Sequence, residues 1–356
     1  MAKAKVIAGL DCSASADRMI PLVLRAQLKA MCALRDKALD WNDPEGVHDM
    51  RVRSRRLRSA LSDFTPYLGR ANLPRLRLKA IAKSLGAVRD QDVALVALEE
   101  LKSKATGQAA EGIGMVIEER LTRRREARAA LRRAIKRSAV EEFRGDFQVK
   151  LRRIAIVSRR KSRKRSVKDR DSNLPFSQVA REIIAARLKE FRDASAHLYF
   201  PFRIKGLHQL RILAKRLRYA IELFSPCGRD EFKAMAKEIA LLQTSLGELH
   251  DCDVWIDSLG ARLKETARRE ESDEDKLRLK EGATSLLRHF TDVRMGHYRD
   301  ALARWEQWEA EHFLERLESI VDRDLAIAPR TNNTQAGAPR RPIGLAAHGK
   351  REAVVS

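Results

Sequence analysis

Much that would assign this chain to a familiar class is missing from it. No run of about eighteen apolar residues occurs, so no membrane-spanning helix is expected. The short apolar stretch at 6–10 falls below the length of a secretory core, and Asp11 before Cys12 does not fit a lipoprotein cleavage site. Aromatic residues make up only 5% of the chain, which points to helix packing rich in Leu and Ala. The cysteines, Cys12, Cys32, Cys227 and Cys252, lack the paired spacing of a zinc site or a redox motif, so the expectation is reduced thiols in a cytosolic protein. His250 and Cys252 alone make a weak ligand pair. No glycine-rich phosphate loop, serine nucleophile elbow or zinc-protease helix is found, and no alternating apolar run suggests a strand. An enzyme, a metal centre and a cofactor are therefore not expected.

What the chain has instead is positive charge. Its formal net charge is +23 over 356 residues and its pI is near 10.3, an imbalance that favours a polyanionic partner: nucleic acid, an anionic membrane surface or a phosphate polymer. At 44% hydrophobic content the chain is long enough to bury two ordinary cores.

Much of the charge is organised by an internal duplication. His48, Arg51, Arg55 and Arg58 in the first half are matched in register by His208, Arg211, Lys215 and Arg218 in the second. At about 100° per residue each set falls within a sector of roughly 80° on a helix. Met50, Leu57, Leu61 and Phe64 gather on the far side, as do Leu210, Leu217, Ile221 and Phe224. Such a helix buries its apolar stripe and leaves the polar one for solvent, a partner or a shared cavity. From the His to the last cation the rise is about 15 Å, enough to meet several consecutive anionic groups. Solvated basic faces are common, but here acidic i to i+4 partners are expected to be absent from both stripes, and like charges so spaced repel by a few tenths of a kcal/mol per pair. An anion offsetting them suits a linear polyanion better than a small metabolite.

A second element is also repeated: Leu85, Gly86, Asp90 and Asp92 correspond to Leu246, Gly247, Asp251 and Asp253. Leu78, Ile81, Leu85 and Val88 step by three and four, as do Met235, Ile239, Leu242, Leu246 and Leu249, the spacing of an apolar helical seam. Glycine inside a helix costs about 1 kcal/mol relative to alanine, so close approach of another backbone is expected at Gly86 and Gly247. The Asp pairs lack the neighbours that would complete an oxygen shell and are expected to pair with Arg or with free backbone donors.

Amphipathic segments at 18–39, 118–143, 176–198 and 276–308 bring each repeat to four helical elements. The sequence thus divides into an N-terminal segment 1–17, repeat 1 at 18–157, a linker 158–173, repeat 2 at 174–326 and a tail 327–356. The linker, SRRKSRKRSVKDRD over most of its length, is expected to be mobile. The tail, rich in Thr, Asn, Gly, Pro and Ala, is expected to be disordered.

The His/Arg helix and the Leu-Gly-x-x-x-Asp-x-Asp segment, each present twice and in the same order, resemble the CHAD family, the conserved-histidine α-helical domains. The resemblance covers about 18–325. It implies an all-α fold of two tandem four-helix bundles related by pseudo-twofold symmetry, with a basic channel between them lined by the His-bearing helices. It also implies binding of inorganic polyphosphate, and some members of the family locate to polyphosphate granules in bacterial cells; a cytoplasmic protein, free or on such granules with granule-associated proteins as partners and without cofactor or metal, is expected here. By the resemblance, His48, Arg51, Arg55 and Arg58 would face His208, Arg211, Lys215 and Arg218 across that channel; apart from the resemblance, Arg56, Arg216, Lys79, Lys83, Arg120, Arg124 and Arg294 are secondary candidates for polyphosphate contact. The Glu-x-Glu-x-Lys signature of the triphosphate tunnel enzymes often fused to this family is absent, so triphosphatase activity is not implied. Lys215 stands where the first copy has Arg55, and an ammonium cannot make the bidentate guanidinium fork.

Two rivals remain at this level. A nucleic-acid-binding helical protein would use the same charge, against which stand few aromatics for stacking and no helix-turn-helix or zinc-finger pattern. A phosphoanhydride hydrolase would hold magnesium on Asp90, Asp92, Asp251 and Asp253.

Overall fold

In a computed structural model, residues 7–69, 72–164, 174–266 and 272–325 are described, and among them the chain is all-α. The helices are α1 (Ala16–Cys32), α2 (Pro44–Asp63), α3 (Arg75–Lys104), α4 (Gly107–Ala134), α5 (Arg137–Lys164), α6 (Phe176–Ala194), α7 (Ile204–Phe224), α8 (Asp230–Thr266), α9 (Asp273–Ala310) and α10 (Phe313–Asp324). The expected four helices per repeat become five. The segment 118–143 is broken at Ile135, whose carbonyl accepts a 2.9 Å hydrogen bond from Arg35 Nε. In the second repeat, His312 adopts a left-handed conformation with φ 50° and separates α9 from α10. Local chemistry starts other helices. Pro44 opens α2 behind Asp43, whose carboxylate caps the Glu45 amide, and Ser272 caps α9 ahead of three acidic residues.

The apolar stripes lie where their spacing put them. Met50, Leu57, Leu61 and Phe64 on α2 and Leu210, Leu217, Ile221 and Phe224 on α7 are all buried. Both stripes belong to one continuous core drawn from the two repeats. Phe64, Phe176 and Phe224 meet in it with ring centroids 5.2–6.1 Å apart. A smaller core forms where α3, α4, α8 and α9 pack together, around Leu98, Ile113, Leu259 and Phe290.

Close backbone approach occurs, but at other glycines than expected. A Cβ on Gly112 would fall 1.9 Å from the Arg278 carbonyl oxygen, and one on Gly282 2.6 Å from the Gly112 carbonyl carbon, so α4 and α9 touch backbone to backbone. At Gly86 the nearest atoms belong to the Arg51 and Asp90 side chains, at 3.8 and 4.0 Å, and at Gly247 nothing lies within 4 Å.

The four-thiol expectation is also corrected. Cys12 and Cys227 form a disulfide, and Cys32 and Cys252 are free. The bond joins the N-terminal segment to the 3-10 turn that follows α7. The same segment hydrogen-bonds to the start of α6, with Phe176 N donating to Ala14 O and Ser177 N to Cys12 O, both at 2.9 Å. Helix α5 extends to Lys164, so the first part of the expected linker is helical. Residues 165–173 and the expected tail 327–356 lie outside the described residues.

Candidate anion-binding site

Helices α2 and α7 each bury one stripe in the core, which turns their cationic stripes to the opposite side. The two rows converge. Lys215 on α7 lies in the fields of Arg211 on its own helix and of Arg55, Arg51 and Arg58 on α2. Burial first, then these four guanidinium groups, push the Lys215 ammonium down from 10.5 to about 8. Arg211 and Arg55 are lowered in the same way, chiefly by burial, and Arg55 adds to the effect on Arg211. Among the described residues the buried Nε atoms of Arg55 and Arg211 have no acceptor. A buried donor left unmatched costs about 1–3 kcal/mol, so leaving these groups without an acceptor destabilises the empty protein.

Histidine flanks the cluster in each half. His48, held below its usual range first by burial and then by Arg89 and Arg55, sits one turn from Arg51 on α2. In the second half His208 faces His250 of α8, with the two Nδ1 atoms 3.2 Å apart and ring centroids at 4.2 Å. At that distance only one of the two nitrogens carries a proton. Burial, then Arg211, His208 and Lys215, push His250 down to about 4. His208 is lowered by burial, Arg211 and Lys215. His250 was not among the residues expected in the site. The available signal was its alignment with Arg89, the residue beside His48, immediately before the first Asp of each pair.

The Asp pairs divide their work. Asp92 accepts from Arg124 at 2.7 Å, and Asp253 accepts from Arg294 at 2.5 Å, so the second Asp of each pair fastens α3 to α4 and α8 to α9. The first Asp of each pair faces the cationic cluster instead. Asp90 lies 3.3 Å from Arg51. Asp251 is raised by partial burial, with Glu248 and Asp90 adding and Arg211 and Arg51 opposing. Among the described residues no group of three or more His, Cys, Asp or Glu side chains is arranged to hold a metal ion.

The remaining candidates are placed as follows. Arg218 is buried on α7, stacks over Tyr219 at 4.9 Å and pairs with Glu222 at 3.5 Å. Glu222 also accepts from Arg56 of α2 at 3.0 Å. Arg218 thus has the i+4 carboxylate that both stripes were expected to lack, and together the three residues tie the two His-bearing helices. Arg120 lies over the Trp255 ring at 4.6 Å, Arg124 is bound to Asp92, and Arg294 spans Asp253 and the Pro201 carbonyl. Those three arginines are committed to packing between helices. Arg58, Arg216, Lys79 and Lys83 are exposed.

The CHAD domain model matches residues 22–260, which takes in both His-bearing helices and both Asp pairs. The chain belongs to the CHAD domain family. Its fold resembles the crystal structure of the CHAD domain from the plant Ricinus communis, with a TM-score of 0.63 at 22% identity, covering 83% of this chain and 96% of that one. PptA from Streptomyces chartreusis is similar at a TM-score of 0.58 and 16% identity, covering 82% of this CHAD chain and 100% of that one. Comparison with curated proteins gave no match. No helix among the described residues is long and apolar enough to cross a membrane.

Proposed function

We propose that this CHAD protein binds inorganic polyphosphate in a channel between its two repeats, lined by the cationic rows of α2 and α7 and related by a pseudo-twofold axis. The observation that carries this reading is the convergence of Arg51, Arg55 and Arg58 on Arg211 and Lys215, with buried guanidinium nitrogens unmatched. Successive phosphates accept from those donors and release condensed counterions as they do so. Membership of a binding-domain family supports the reading. The protein acts as a binder, without turnover, metal or cofactor, at polyphosphate granules with granule proteins as further partners; the Cys12–Cys227 disulfide removes the reduced-thiol argument for the cytosol.

The test is a titration with long-chain polyphosphate over a salt series, using wild type and a variant with Arg51, Arg55, Arg211 and Lys215 changed to Ala. The variant should bind more weakly and with a shallower salt slope. DNA of equal phosphate content should fail to displace bound polyphosphate at moderate salt. Full displacement would transfer the site to nucleic acid, and release of orthophosphate lost on changing Asp90 and Asp251 would make the protein a hydrolase.

A further inference from the structure

Exposed apolar and aromatic side chains that the phosphate-binding role does not use lie along the chain next to the His208–His250 end of the cationic rows. On α7, Ile204 stands one turn before His208, on the same face as His208, Arg211 and Lys215. On α8, Val254 stands one turn beyond His250. Because α7 and α8 are consecutive helices whose histidines meet ring to ring, both residues lie on the same side of that pair. Each is exposed, Ile204 by 49% and Val254 by 54%. The loop entering α7 adds Phe200 and Phe202, and Phe202 is 80% exposed in a protein with few aromatics.

This loop is held in place. Arg294 donates to the Pro201 carbonyl at 2.7 Å while its Nε is bound to Asp253, the residue before Val254, and Tyr298 Oη donates to the Leu198 carbonyl at 2.7 Å. Both anchors are buried. Arg203, the next residue after Phe202, lies over the Phe200 ring, its guanidinium carbon 4.1 Å from the centroid. The corresponding part of repeat 1 has no such surface: Asp40, Asn42 and Asp43 stand there, and Trp41 is covered by Arg128 and Arg132.

We propose that this lip is a subsite for a planar aromatic group carried on the end of a phosphate chain, so that the protein also binds nucleoside oligophosphates, with the phosphates on the α7 cations and the base stacked on Phe202. The inference rests on the phosphate-binding reading above. An open aromatic face supplies base stacking without sequence preference, a guanidinium plane adds to it, and the adjoining cations hold the attached phosphates. An apolar lip alone has no use for an unbranched inorganic chain, which carries charge along its whole length.

Binding of ATP and of inorganic tripolyphosphate, which carry nearly the same charge, decides the matter. Wild type should bind ATP at least about fivefold more tightly, the low end of what one stacked base contributes. Phe202→Ala, at an exposed position outside the core, should erase that preference and leave the affinities for tripolyphosphate and long-chain polyphosphate unchanged. Equal affinities in wild type, a preference that survives in Phe202→Ala, or binding of long-chain polyphosphate without ATP overturns the subsite. Failure of every phosphate ligand to bind overturns the phosphate-binding function and the subsite with it.

Discussion

Raising the pH from 7 to 9 should weaken polyphosphate binding about tenfold, through Lys215 alone. In the free protein its ammonium is pushed down to about 8 by burial and by Arg211, Arg55, Arg51 and Arg58. At pH 7 it is mostly charged, whereas at pH 9 roughly one molecule in ten keeps the proton, and recharging the rest costs about 1.4 kcal/mol. A phosphate beside the ammonium favours the charged form, so binding at pH 8–9 takes up a proton. Lys215→Arg removes the effect because guanidinium stays charged. It should match wild type at pH 7 and bind about tenfold more tightly at pH 9. Calorimetry in buffers of different ionisation enthalpy reads the proton count directly. Absence of uptake at pH 8.5, or uptake undiminished in Lys215→Arg, would refute the reasoning.

The same group affects stability with the opposite sense. A folded-state value of about 8 lies below the unfolded 10.5, so the charged amine destabilises the free protein throughout the range below about 8, by up to about 3 kcal/mol. That penalty is relieved as pH rises from about 8 towards 10.5. In the unliganded protein Lys215→Met should therefore raise the denaturation midpoint at pH 7 and have little effect at pH 10.5.

Three further outcomes follow from the geometry. Because His208 and His250 are both lowered, His250 to about 4, and phosphate raises them, affinity should increase as pH falls from about 6.5 towards 4. This window lies below the pH 6–8 range that unperturbed histidines would give, and a steep response that survives changing both residues to Asn would remove them from the mechanism. Reduction of Cys12–Cys227, which closes a loop with a sequence separation of 215 residues, should lower stability by up to about 5 kcal/mol; identical denaturant midpoints with and without reductant would show that the bond constrains nothing. Gly247→Ala should stabilise by about 1 kcal/mol because a Cβ there meets open space, whereas Gly112→Ala should destabilise because its Cβ collides with the Arg278 carbonyl; thermal denaturation of the two variants checks both signs.

What was legible in the sequence was what local periodicity controls. The stripes of α2 and α7 follow directly from a 3.6-residue repeat, and their burial confirms which side is apolar. Duplication made the cationic rows visible as a pair. The helix breaks at Ile135 and His312 were hidden because neither residue is Gly or Pro; Arg35, in the turns after α1, takes the Ile135 carbonyl, and His312 takes a positive φ that is uncommon outside glycine. Cys12 and Cys227 gave no local signal, since only the folded chain brings them together. Arg218 fell on the cationic wheel sector, yet its long side chain reaches the seam between α2 and α7, where Glu222 is shared with Arg56. Wheel angle fixes where a Cβ points, not where an arginine ends.

The convergence of like charges needs a physical reason, because enclosing Arg55, Arg211 and Lys215 together raises the free energy of the empty protein. Packing on the far side of both helices supplies the offset: the apolar stripes are fully enclosed, and removing a single core Phe such as Phe64 or Phe224 would cost about 3–5 kcal/mol. The carboxylates inside the cluster compensate only in part. Asp90 reaches Arg51 at 3.3 Å with 64% of its side chain exposed, a pair worth at most about 1 kcal/mol. Asp251 is opposed by Glu248 and by Asp90 itself, which limits how much charge the two can jointly neutralise. Full pairing from within would have closed the site to ligands. Partial pairing keeps the empty state folded and leaves guanidinium donors unsatisfied; under the proposed function, the strain that costs stability without ligand becomes affinity when a phosphate chain enters.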